Sequence, residues 1–225
     1  MSGPSEALDS TTLSEQHSKE LLASFGVPFP TEHVVTDVAG ATAAAESLGY
    51  PVVAKLNGDA IAHKTERGLV RLGLATADAV AAAASELLAA ATPEDGDVTV
   101  LVAPMIRSNR EFICGMSTDE QFGPTVLLGV GGILAEAIAD VVLRMVPITA
   151  VDAAEMIAEL KTKALLDEFR GEPAVDRTKL ASVLLALSEA AVARPDIASI
   201  DLNPVLIHNG DPVAVDALVE LKGAN

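Results

Sequence analysis

The run Val98-Thr99-Val100-Leu101-Val102-Ala103, stopped by Pro104, constrains the fold of this chain most. Its near-continuous apolar character reads as a central strand, because a strand with one wet face alternates apolar and polar residues. The pattern changes on either side of it. Before Ala103, Ala-rich helical stretches alternate with short apolar runs; after Pro104, longer strand-like runs are joined by glycine turns. The spacing divides the chain into two blocks, residues 12–103 and 104–225, behind a Ser/Thr-rich N-terminus over residues 1–11 that reads as disordered. We expect an α+β chain of two facing subdomains, with the cleft between them as the default ligand site.

Local signals fill in the two blocks. Thr12-x-x-Glu15 can form a capping box for a helix running to Phe25, ended by Gly26 and Pro28. Strands are expected over Glu32–Thr36, Val52–Leu56 and Leu69–Ala75, a helix through Ala43–Leu48, and an Ala-rich helix capped by Asp78. In the second block Glu111–Met116, Pro124–Leu128 and Val141–Val146 read as strands. Thr149 caps a helix to Leu160, and Lys179–Val192 is a long helix. Two last strands, Ile197–Ile207 and Pro212–Leu221, flank the hairpin signal Asn209-Gly210-Asp211.

Charge and composition narrow the function. The net charge of −17 lacks the basic footprint that a nucleic-acid backbone requires. Such acidity fits either plain solubility or a high-salt cytoplasm in which self-repulsion is screened, and we favour a halophilic source. The single Cys114 cannot form an intramolecular disulfide, which fits a reducing, cytoplasmic compartment. Met1–Asp9 carries no apolar core of a secretory signal, and the most apolar window, Val126–Val146, is broken by Gly129, Gly131, Gly132, Glu136, Asp140 and Arg144, so no membrane span is expected.

Several residues could carry chemistry, and each also has a bland reading. Asp201-Leu202-Asn203-Pro204 ends an apolar strand, and alternation puts Asp201 and Asn203 on one face. Across the hairpin, Asp216 brings a second carboxylate. Oxygen donors converging there suit Mg²⁺, or else merely bond backbone at a turn. Apolar neighbours make unpaired acids costly, which favours a cation partner. Lys55 closes the buried run Val52-Val53-Ala54 and reads as a phosphate clamp or as a snorkelling strand-end lysine. Gly129-Val130-Gly131-Gly132 is either a phosphate-approach loop or a tight turn. Arg144 and Glu136 are charges in the most apolar region, in a site, an interface or a buried pair. His63, lying between Lys55 and Lys64 just after the Val52–Leu56 strand, is a phosphoryl acceptor beside neutralising lysines or a surface-loop residue.

Taken in order, the segments resemble the β subunit of the NDP-forming acyl-CoA synthetases, the ADP-forming acetate–CoA ligases, whose β chain is an ATP-grasp domain. The resemblance runs from about Leu13 to Leu221. It rests on Gly49-Tyr50-Pro51-Val52-Val53-Ala54-Lys55, the Ile61–Gly68 loop, Arg110-Glu111-Phe112-Ile113-Cys114-Gly115-Met116, Gln121-Phe122-Gly123-Pro124, Gly129–Glu136, Arg144-Met145-Val146-Pro147, Phe169-Arg170-Gly171, Asp201–Pro204 and Val213–Asp216. The resemblance implies an ATP-grasp fold with the nucleotide between two subdomains. It implies that Lys55, with Lys64, Glu111, Gly131, Gly132 and Arg144, serves the nucleotide, ATP or ADP. Asn203 and Asp216 would ligate Mg²⁺, with Asp201 close to phosphoryl transfer, and His63 would be the transient phosphoryl carrier. It further implies an α subunit that binds CoA and the acyl group, in an α2β2 assembly. The reaction implied interconverts acetyl-CoA, ADP and phosphate with acetate, ATP and CoA. A succinate–CoA ligase-like β subunit and a non-catalytic, ATP-binding regulatory module are the alternatives. Leu69 stands where the family commonly has a second glycine, Ala103 where it often has Gln or Glu, and Ala217-Leu218 where an arginine is commoner.

Overall fold

Two antiparallel sheets carry the chain in the computed structural model, which describes residues 11–61, 64, 67–119, 121–133 and 135–223. The smaller sheet contains β2 (His33–Val35), β3 (Val52–Asn57), β4 (Val70–Leu74) and β5 (Thr99–Pro104), in the order β2-β5-β3-β4. The apolar run is therefore an inner strand: Val100, Leu101 and Val102 are fully buried, and Lys55 of β3 lies opposite Leu101. Two helices, α2 (Val38–Leu48) and α3 (Ala77–Ala89), cover this sheet through Ala41, Ala45, Val80, Ala84 and Leu87. Small alanines let the helices approach the sheet closely, and among the described residues this core holds no aromatic side chain. Leu69 is buried in the same core, so its side chain fills space rather than facing the loop that precedes it. The cap of α3 is Thr76, whose hydroxyl accepts from the Ala79 amide at 3.2 Å, and not Asp78, which sits in the first turn where the helix dipole favours an acid.

The larger sheet runs β1 (Thr11–Thr12), β11 (Leu218–Leu221), β9 (Ile197–His208), β6 (Glu111–Asp119), β7 (Gly123–Val130), β8 (Val141–Met145), with β10 (Asp211–Ala214) also on β9. Its core joins Phe112, Leu128 and Leu202 to Met156 of α5 (Ala150–Glu159) and to Leu180 and Leu187 of α6 (Arg177–Ala193). A short α4 (Ala135–Ile138) links β7 to β8. The first helix, α1 (Glu15–Ala23), belongs to this core as well, because Leu22 and Val27 are buried in it and Thr12 pairs with Glu220. Thr12 is thus held in a strand, and Ser14 caps α1 by accepting from the His17 amide at 3.3 Å. The expected Thr12/Glu15 capping box does not form, which leaves the Glu15 carboxylate free for other partners.

The expected final strand Pro212–Leu221 is two strands. β10 pairs with the C-terminal half of β9, Ala214 opposite Val205, and β11 with its N-terminal half, Leu218 opposite Asp201. Val215, Asp216 and Ala217 bridge them opposite Leu202–Pro204. Pro204 has no amide hydrogen to give to a ladder, so the pairing cannot run through; the Val215 amide instead donates to the Pro204 carbonyl at 3.2 Å. That interruption aims the Val215 carbonyl and the Asp216 carboxylate toward the smaller sheet.

Arg110, just before β6, has a fully buried side chain. It bonds Glu172 at 3.2 Å, the Leu165 and Asp167 carbonyls at 3.2 Å each, and the Pro173 carbonyl at 2.7 Å. One guanidinium thereby fastens the 165–173 loop to the larger sheet. Arg110→Leu strands Glu172 and three carbonyls, and is expected to lower unfolding free energy by about 2–4 kcal/mol in urea denaturation. A loss below about 1 kcal/mol, the range of an exposed ion pair, would remove the clamp.

Candidate functional site

A cavity of about 780 Å³ lies between the two sheets. Val53 and Lys55 of β3 and Val70 and Leu72 of β4 form one wall. The link from Ala103 to Asn109 closes one end. The larger sheet contributes Glu111, Pro204, Leu206, Val215 and Asp216. The lining is divided: Val53, Val70, Leu72, Met105 and Leu206 are apolar, while Lys55, Arg107, Glu32, Glu111 and Asp216 bring charge. An apolar slot with a charged end suits a ligand with a flat ring at one end and anionic groups at the other.

The charge at that end is organised by Glu15, whose side chain is fully buried. One carboxylate oxygen, Oε1, accepts from Lys19 Nζ at 2.7 Å and Lys55 Nζ at 2.7 Å; the other, Oε2, accepts from Lys64 Nζ at 2.6 Å. Lys19 and Lys55 also donate to the Val215 carbonyl, at 3.1 and 2.9 Å, and Lys19 bonds Glu32 at 2.5 Å. Lys55 Nζ lies 3.7 Å from Asp216 Oδ2. Burial opposes ionisation of Glu15, but Lys55, Lys19 and Lys64 outweigh it and hold its carboxyl well below the usual carboxylate range. Burial likewise opposes the charge on Lys55, and Glu15 and Asp216 outweigh it, so Lys55 stays a firm cation.

Asp201 and Asn203 project from the same face of β9, as alternation predicts, and Asp216 approaches from the strand interruption. Asp201 and Asn203 are exposed and stand beside the cavity rather than in its lining. Here the balance is reversed. Partial burial and the charge of Asp216 raise the Asp201 pKa; burial raises that of Asp216 although Lys55 pulls the other way. Two carboxyl groups that are both reluctant to ionise, beside a neutral amide oxygen, make a donor set that a hard divalent cation would relieve. Among the described residues no group of three His, Cys, Asp or Glu side chains gathers closely enough to hold a metal ion.

The remaining expectations divide. Glu111 lines the cavity at the start of β6, and the Gly131 amide donates to its carbonyl at 2.7 Å. A Cβ on Gly131 would stand 3.2 Å from the Glu111 backbone, so glycine is what permits that approach, and Gly132, at φ +85°, turns the chain away beside the Glu111 carboxylate. Arg144 is placed elsewhere: it sits on the edge strand β8, pairs with Glu159 of α5, and does not line the cavity. Alternation puts Arg144 on the face of β8 that it shares with buried Val142, half-buried and paired toward α5, while Val141, Leu143 and Met145 are the outward residues. His63 lies outside the described residues, while its neighbour Lys64 is buried against Glu15. Cys114 is core, its thiol pushed up to about 12 by burial and by the charge of Asp201. Sequence reasoning missed Glu15, Lys19 and Glu32; the Glu15/Lys19 spacing of four, repeating on one helix face, was the signal available for two of them.

Comparison with known proteins adds an independent line. The family described as ATP-grasp domain matches residues 6–221. The β subunit of ADP-forming acetate–CoA ligase I from Pyrococcus furiosus is 36% identical over 208 residues, 91% of this chain and 90% of that protein. A solved structure of dinucleotide-forming acetyl-coenzyme A synthetase 1 from Ca. Korarchaeum cryptofilum, with coenzyme A and Ca-AMPCP, matches with a TM-score of 0.86 at 31% identity, covering 94% of each chain. Another structure of that protein holds coenzyme A and Mg-AMPPCP, with its phosphohistidine segment pointing towards the nucleotide binding site; it matches with a TM-score of 0.79 at 32% identity over 94% of this chain and 93% of that one.

The opposed pKa shifts predict opposite pH effects. The depressed Glu15 contributes stability that is complete above the ordinary value of 4.5 and is lost as pH falls through it toward the folded value. The raised Asp216 contributes only below its ordinary value of 3.8, and that contribution is lost as pH rises through its folded value. In metal-free buffer at pH 7, Asp216→Asn should therefore melt no lower than wild type, and wild type should lose stability steeply below about pH 4.5. A clear drop in melting temperature for Asp216→Asn would show that the Lys55 pair, not enclosure, governs Asp216.

Proposed function

From the premise that this chain belongs to the ATP-grasp domain family, among the β subunits of ADP-forming acetate–CoA ligases, we propose that it moves a phosphoryl group between ATP and His63. The overall reaction then interconverts acetyl-CoA, ADP and phosphate with acetate, ATP and CoA. The observation that carries this reading is one cavity in which Lys55 of the smaller sheet stands 3.7 Å from Asp216 of the larger, at the charged end of an apolar slot. The slot takes the base and the charged end takes the phosphates. Lys55 and Lys64 neutralise phosphate oxygens, and Glu111 borders the nucleotide with Gly131 and Gly132 behind it.

Asn203 and Asp216 would hold Mg²⁺, with Asp201 close by; their oxygen donors fit it, and a divalent cation would favour the charged form of both carboxyl groups against the burial that raises their pKa values. A bound Mg²⁺ would offset charge on the phosphates during transfer. The chain's own part is to orient the nucleotide, hold its cations rigid and keep Asp201 beside the reacting group. In the transfer, an imidazole nitrogen of His63 forms a bond to the terminal phosphorus of ATP, the bond from that phosphorus to the bridging oxygen breaks, and ADP leaves. CoA and acyl chemistry belongs to an α chain, in an α2β2 assembly. Arg144, ion-paired on an edge strand, has no part in nucleotide binding in this reading. The acidic surface and single buried thiol support a reducing, high-salt cytoplasm.

Incubation with terminally labelled ATP and Mg²⁺, with and without the co-purified partner chain, tests the relay. Wild type should acquire an acid-labile, base-stable label that His63→Ala lacks; a wild type that never takes up label contradicts the relay. The salt reading has its own check, thermal melting in low and molar potassium chloride. The melting temperature should rise with salt as like charges are screened, and equal values would remove it.

A further inference from the structure

We infer that Glu15 is a positioning residue of the phosphoryl-transfer site, setting where the ammonium groups of Lys55 and Lys64 stand. The inference rests on the nucleotide reading above and adds a residue that neither sequence pattern nor likeness to relatives assigns. Glu15 is the first residue of α1, an element of the larger sheet's core, yet its carboxylate reaches lysines of the smaller sheet and of the loop that follows β3. The two oxygens divide their duties. Oε1 serves Lys19 and Lys55, and Oε2 serves Lys64.

Three features favour a built device over a chance ion pair. The carboxylate is fully buried, so each contact is strong and none is screened by water. The helix N-terminus stabilises an anion at this position. Lys55 has its remaining direction fixed by the Val215 carbonyl at 2.9 Å, itself presented by the interruption between β10 and β11. Three lysines crowded together would repel one another and splay; one carboxylate at their centre makes the cluster possible. The same carboxylate ties Lys64, next in sequence to His63, to the lysine that lines the nucleotide cavity.

Glutamine at position 15 separates positioning from folding. Its one carbonyl oxygen can still serve Lys19 and Lys55, while its amide nitrogen faces Lys64, where a donor meets a donor. Glu15→Gln should thus release Lys64 and leave the cavity intact. ADP affinity by calorimetry should stay within about threefold of wild type, whereas the rate of acid-labile labelling from ATP falls roughly tenfold or more, because small misplacement of a transfer site is costly. Lys64→Met provides a second route that does not disturb Glu15, and the double variant should be no slower than the slower single one, since both act through one contact. Labelling by folded Glu15→Gln within about twofold of wild type, or strictly multiplicative losses in the double variant, would overturn the inference. If Glu15→Gln does not fold, Glu15→Asp decides, since its shorter side chain keeps the charge but cannot reach both Lys55 and Lys64: labelling at the wild-type rate overturns the inference, and a loss of about tenfold with the fold kept sustains it. A wild type that neither binds ADP nor takes label would instead overturn the nucleotide reading itself.

Discussion

A single buried carboxylate holds the two halves of this molecule in register. Glu15 sits on a helix that packs with the larger sheet and binds lysines of the smaller one, so the geometry of the cleft depends on its three short ion pairs. Buried ion pairs are weak evidence for stability, because desolvation consumes much of the attraction. They are good at fixing geometry, since breaking one leaves an uncompensated charge. Here the cluster brings together Glu15, Glu32 and Asp216 with Lys19, Lys55 and Lys64, three of each sign. Near-neutrality allows cations to sit rigidly in a low-dielectric cleft of a protein whose net charge is −17.

The second constraint is a proline. Pro204 interrupts the ladder between β9 and its neighbour, and the strand expected over Pro212–Leu221 becomes β10 and β11 with Val215–Ala217 between them. That gap supplies the carbonyl that orients Lys55 and the Asp216 carboxylate 3.7 Å from the same lysine. Sheet regularity is given up where oxygen donors are needed, and the adjoining strands keep the gap rigid.

Much of this was legible in the sequence, for stated reasons. An unbroken apolar run marked β5 as an inner strand, and a lysine closing a buried run marked Lys55. Strict alternation put Asp201 and Asn203 on one face. What was not legible depended on tertiary partners. Glu15 looked like half of a capping box, because Thr12-x-x-Glu15 satisfies that pattern; only the pairing of β1 with β11 removes Thr12 from the role. Arg144 looked like a site residue because its neighbours are apolar, yet those neighbours include Leu143 and Met145, more than half exposed on an edge strand. Burial cannot be inferred from hydrophobicity when a strand has no outer partner. Thr76 and Asp78 are both acceptable caps by residue type, and helix phase alone chose the first.

The central claim is that one cleft, braced by Glu15, receives a metal-bound nucleotide between Lys55 and the Asp201, Asn203 and Asp216 oxygens. The most direct test is a crystal structure of the full chain with Mg-AMPPCP. Phosphate oxygens should lie within hydrogen-bonding distance of Lys55 Nζ, the base against Val53, Met105 and Leu206, and Mg²⁺ on Asn203 and Asp216. A nucleotide bound outside this cleft, or a metal held with none of those three oxygens, would contradict it.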